Sequence, residues 1–164
     1  MRIYKFYDTD LTGQEDYDIA GDQYKNLLKL CFKHSSTVSV IISPNYVDNI
    51  QSWEKYQIPV TPNVQNVYYH YGQPSSENPN KIGHYEIRHY RLDGGLQDLL
   101  ISHTDSIFKW TYAWGYNNPD DLAFFRPDGS VFFSSIVHEG ECTLSINEGE
   151  EVRGFISDDY WTPI

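Results

Sequence analysis

Six histidines, 23 carboxylates and two cysteines are the groups in this 164-residue chain that could do chemistry, and their spacing decides which chemistry is open. A metal site needs ligands that converge from one side of an element. His84 and His89 lie an odd number apart on an expected strand and so point to opposite faces. His138-Glu139-Gly140-Glu141-Cys142 begins like a zincin helix but lacks the second histidine one turn later. No metal or other cofactor is therefore expected, and only a cluster assembled by the fold, such as His70 with His84 across a strand pair, stays open. Ser134-Ser135 and His138 share a strand without the Gly-x-Ser-x-Gly elbow that exposes a nucleophile. Neither Cys31 nor Cys142 sits at an expected helix start or beside a basic cluster, the settings that make a thiol reactive. No glycine-rich phosphate loop is present. Carboxylate pairs such as Asp8 with Asp10, Asp16 with Asp18, Asp120-Asp121 and Asp158-Asp159 suit a glycosidase, but in so acidic a chain they are unspecific.

The elements that must position these groups follow from composition and period. Fourteen Tyr, eight Phe, four Trp, 14 Ile and nine Val against three Ala favour strands. Tyr24, Leu27, Leu28 and Cys31 fall at i, i+3, i+4, i+7 and predict a helix from Asp22, with Asp22 as its cap and Lys33 and His34 near its end. Further helices are expected over 45–56, after Ser43-Pro44, over 96–103 and, weakened by two glycines, over 148–157. Strands are expected over 2–7, 37–42, 65–71 and 84–92. A four-stranded antiparallel meander is expected over 108–114, 122–126, 130–138 and 141–146, turned at Arg126-Pro127-Asp128-Gly129 and at Glu139-Gly140. An acidic loop spans 8–18. The whole reads as one α+β domain, mainly antiparallel sheet packed by two or three short helices.

Charge is unevenly spread: residues 1–24 carry −4, residues 25–119 carry +1, and residues 120–164 carry −8 of the total of −11. Such a surface disfavours direct nucleic-acid binding and an anionic membrane. The amino terminus lacks the apolar core of a secretory signal, and no apolar run approaches the roughly 20 residues of a bilayer span. With two cysteines expected as free thiols, the cytoplasm is the expected compartment.

An acidic field next to aromatic rings suits a basic protein partner. Phe108, Trp110, Tyr112 and Trp114 alternate along an expected strand and read as mostly core, whereas Trp114 and Tyr116 run into Asn117-Asn118-Pro119-Asp120-Asp121 at a loop. Rings rimmed by carboxylates bind arginine or lysine through cation–π contact and charge-assisted hydrogen bonds. In size, acidity and aromatic content the chain resembles the immunity proteins that bacteria make against nuclease toxins, a likeness of bulk character that carries over no functional positions. The expected function is a non-catalytic inhibitor that masks a basic partner such as a nuclease toxin, through Trp114, Tyr116, Asp120, Asp121, Glu139 and Glu141. Two alternatives remain. One is a small hydrolase assembled from scattered groups such as His70, His84 and Glu86; the other is a carbohydrate-binding module using Trp110 and Trp114 as stacking platforms.

Overall fold

A computed structural model describes residues 1–8, 18–154 and 161–164. Strand β1 (Arg2–Tyr7) is followed by helix α1 (Asp22–His34), β2 (Thr37–Ile42), a 3₁₀ turn (Gln51–Tyr56), β3 (Gln57–Ile58), α2 (Pro62–Val67) and a second 3₁₀ turn (Tyr69–Tyr71). Then come β4 (Lys81–Ile82), β5 (Tyr85–Arg91), α3 (Gly94–His103) and a 3₁₀ turn (Ile107–Lys109). The chain ends with β6 (Asp120–Phe125), β7 (Val131–Ile136), a 3₁₀ turn (Val137–Glu139), β8 (Glu141–Ile146) and β9 (Trp161–Pro163). The strands form one nine-stranded antiparallel sheet in the order β3-β5-β2-β6-β7-β8-β1-β9, with β4 also paired to β5, and the fold is α+β. Among the described residues no helix is long and apolar enough to cross a membrane.

Both faces of the sheet are covered, which explains why its central strands read as unbroken apolar runs. In β2, Val38, Val40 and Ile42 enter the larger core with α1, α3 and Trp53, while Ile41 enters a smaller core with Val64 and Tyr68 on the opposite face. Strand β6 divides its residues the same way, Leu122 and Phe124 to one side, Ala123 and Phe125 to the other. Helix α1 buries the residues that its period marks. Its cap position is Gly21 rather than Asp22, which sits in the first turn where a carboxylate still complements the helix dipole. The β6–β7 hairpin turns on Gly129 at φ 85°, whose N–H donates to the Arg126 carbonyl at 2.8 Å.

Several expected elements take another form. Residues 65–71 are not a strand, because Pro62 at the first helical turn starts α2, and Val64 and Tyr68, four apart, bury one helical side. Residues 108–114 are not a strand either. The Ser106 hydroxyl accepts the Phe108 N–H at 3.1 Å and the Thr111 hydroxyl accepts the Ala113 N–H at 3.2 Å, which coils the segment into turns. The meander is therefore three strands, β6 to β8. Within 45–56 only 51–56 is helical, as a 3₁₀ turn, and 148–154 contains no helix. The rest of that last helix, most of the acidic 8–18 loop and Asp158-Asp159 lie outside the described residues.

Candidate functional site

The carboxylates of Asp120 and Asp121 meet at one end of the sheet because of a bulge. On β2, Ser39 pairs with Ala123 and Ile41 with Asp120, so two β6 residues, Asp121 and Leu122, face the single residue Val40. Asp121 takes φ 55°, a left-handed conformation uncommon for a residue with a side chain. Plain alternation would send two consecutive acids to opposite faces of the sheet. With the bulge, both reach the same cluster.

Asp121 is 1% exposed and fully engaged. Its Oδ1 accepts the Val137 N–H at 2.8 Å, its Oδ2 accepts the Tyr71 hydroxyl and faces His70 Nε2 at 3.4 Å, and its carbonyl accepts the Tyr68 hydroxyl at 2.9 Å. The single Tyr68 hydrogen is thereby spent, so Ser39 donates to Tyr68 across their 2.7 Å contact. Burial and the Asp121 charge push the Tyr71 phenol far up, which keeps it a donor. His70 Nδ1 is buried without a partner.

Asp120 stands in front of this network and lines an open cleft of about 370 Å³ with His70, Tyr71, Tyr85, Tyr112 and His138. Its Oδ1 accepts the Tyr112 N–H at 3.0 Å. Desolvation pushes its carboxyl up to about 6; the Thr111 hydroxyl and Tyr112 N–H oppose the shift and Asp121 adds to it. Among the described residues, no group of three His, Cys, Asp or Glu could hold a metal ion.

Above the cleft, residues 111–118 form a loop that displays Tyr112, Trp114 and Tyr116 to solvent, Trp114 at 70% exposure. The loop is braced from several directions. The Asn117 side chain donates to the Val47 carbonyl at 2.9 Å and accepts its N–H at 3.1 Å. The Asn118 side chain donates to the Lys109 carbonyl at 2.8 Å and meets His103 Nε2 at 2.9 Å. Among the described residues, the non-glycine positions with positive φ are Trp114 (56°), Asn117 (46°) and Asp121, so backbone strain gathers at this end of the molecule.

Of the six residues expected to contact a partner, the structure brings four to this end: Trp114 and Tyr116 on the loop, Asp120 in the cleft and Asp121 beneath it. Asp121 turns its charge inward, so it acts on the cleft as a field and a scaffold rather than as a contact. Glu139 is exposed, 3.9 Å from His138 Nε2. Glu141 lies on β8 and pairs with Lys5 of β1 at 3.3 Å. The hydrolase grouping separates. His70 joins the Asp121 cluster, exposed His84 follows Gly83, and Glu86 binds Arg88 at 2.6 Å in a different cleft beside Asp48. Trp110 is buried, its indole N–H donating to the Tyr24 hydroxyl at 3.2 Å, which removes it as a stacking platform. Sequence reasoning missed Tyr71 and Tyr85; only the bulge and α2 bring them to Asp120. No family model matches the chain, and neither a curated protein nor a solved structure was found to match it.

Proposed function

We propose that this protein is a non-catalytic binding module that masks a basic protein partner, an inhibitor of the bacterial immunity type directed at a target such as a nuclease toxin. The observation that carries the reading is the braced, strained loop that holds Trp114 and Tyr116 out in solvent and whose first residues, Thr111 to Ala113, line the cleft with Asp120. A loop backbone held in place before binding loses less entropy on complex formation, and Trp and Tyr dominate interface hot spots. The net charge of −11 adds steering toward a basic surface and repels nucleic acid. Cys31 and Cys142 are both buried free thiols, a state that suits action in the cytoplasm. Affinity capture from the native host with wild type and with a Trp114→Ala/Tyr116→Ala variant tests the reading. A basic protein retained by wild type and released by the variant supports it; equal retention overturns it.

A second reading, acid–base hydrolysis, is favoured by one observation: Asp120, with its carboxyl pushed to about 6, shares a cleft with His138. His70 supplies no second base there, because its free Nδ1 is closed to solvent and substrate alike. Turnover of a small substrate that disappears in Asp120→Asn would support this alternative against the first.

A further inference from the structure

We propose that the cleft beneath the loop receives an arginine side chain, its guanidinium seated between tyrosine rings and the Asp120 carboxylate. This rests on the binding-module reading and names the chemistry that the module would recognise. The rings of Tyr71 and Tyr85 meet at 4.8 Å between centroids with a 65° tilt, forming a corner, and Tyr112 supplies a further wall. Among the described residues, no lysine or arginine lines the cleft. An anionic ligand would meet Asp120 with Asp121 behind it, and an apolar one would leave a partly desolvated carboxylate uncompensated. A cation satisfies rings and carboxylate together.

Arginine fits this lining better than lysine. Its planar head stacks on aromatic faces and forks onto carboxylate oxygens, and it sheds water more readily than an ammonium group. Asp120 has acceptor capacity left, since the Tyr112 N–H and the Thr111 hydroxyl fill about two of the roughly four lone-pair positions of a carboxylate. The partners of Asp121 are all internal, so it contributes only its field. The groups facing Asp120 are Asp121 on its own strand, His70 and Tyr71 from the turn after α2, Tyr85 from β5, Tyr112 from the loop and His138 after β7. Protonating Asp120, whose carboxyl is pushed up to about 6, removes the charge that a cation pairs with, so affinity falls as pH drops from 7.5 to 5.

The test uses the full chain and small probes, so it needs no identified partner. Amide chemical shifts are followed at physiological salt while Nα-acetyl-L-argininamide, its neutral citrulline analogue or its lysine analogue is added. Saturable millimolar binding is expected, with shifts centred on residues 70–71, 85, 111–113, 120 and 138. Replacing Asp120 by Asn, or arginine by citrulline, should weaken binding about tenfold. Tyr112→Ala, at an exposed ring, should weaken it about threefold while leaving the fold intact. Shifts scattered over the acidic surface, equal binding of citrulline, or equal binding of lysine overturns the assignment. Probe binding in the cleft with partner capture unaffected by Trp114→Ala/Tyr116→Ala would sink the loop reading and keep the cleft. The reverse pattern would sink the cleft alone.

Discussion

Asp120→Asn is expected to stabilise the protein at neutral pH and to leave it unchanged in acid. The Asp120 carboxyl rises from its ordinary 3.8 to about 6 in the fold. The folded state therefore holds a proton that the unfolded chain releases. Between about pH 4 and 6 the native state binds more protons than the unfolded state, so wild-type stability falls as pH rises through that window. The full difference of about two pH units corresponds to about 3 kcal/mol. Partial solvent access to the carboxylate and loss of its charge-assisted bond to the Tyr112 N–H reduce the expected gain to about 1–2 kcal/mol. With a urea m-value of about 2 kcal/mol/M, the unfolding midpoint should rise by about 0.5–1 M at pH 8 and by nothing measurable at pH 3.5. Equal shifts at both pH values, or a lower midpoint for the variant at pH 8, would refute the claim that the fold keeps a costly charge in this cleft.

Four further variants have expected outcomes, two in the loop and two at the Arg126–Glu150 pair. Trp114→Ala should leave stability within about 0.5 kcal/mol of wild type, since the ring is mostly in solvent, yet cost about 2 kcal/mol of partner affinity, measured by calorimetry. Asn117→Ala removes both bonds to Val47 and puts alanine at φ 46°, so hydrogen exchange of residues 112–118 should quicken and partner association should slow. Arg126 forks onto Glu150 at 2.7 and 2.6 Å and donates to the Val131 and Ser145 carbonyls, so Arg126→Ala should destabilise by about 3 kcal/mol in urea. Arg126 holds the Glu150 carboxyl below its ordinary value, so the stability this pair adds is present above about pH 4.5 and lost on acidification. Glu150→Gln should accordingly flatten acid unfolding.

Helix α1, strands β2 and β5 and the β6–β7 turn were legible because local period and turn chemistry agree with the tertiary answer. Residues 65–71 misled because Val-Tyr-Tyr carries high strand propensity, while the decisive signals were Pro62 and the four-residue spacing of Val64 and Tyr68. At 108–114 a period of two was real in the sequence, but the hydroxyls of Ser106 and Thr111 compete with a ladder and win. Trp114, Tyr116 and Asp120 could be named from composition next to turn residues. Asp121 could be named beside them as a contact, but its inward turn could not be read, because adjacent acids read as solvated and a bulge is set by the register of β2 against β6, a long-range property. Tyr71 and Tyr85 stayed hidden for the same reason.

The two outermost strands carry a consequence of their own. β3 is two residues long and β9 three, the latter ending in Pro163, which has no N–H to offer. A nine-stranded sheet with long, flat margins would template pairing with other copies, whereas stubs of this length present too few free donors and acceptors for a lateral neighbour to add on. Rims of this kind disfavour the lateral addition of a strand from another copy, a restraint that matters in a chain this rich in β-formers.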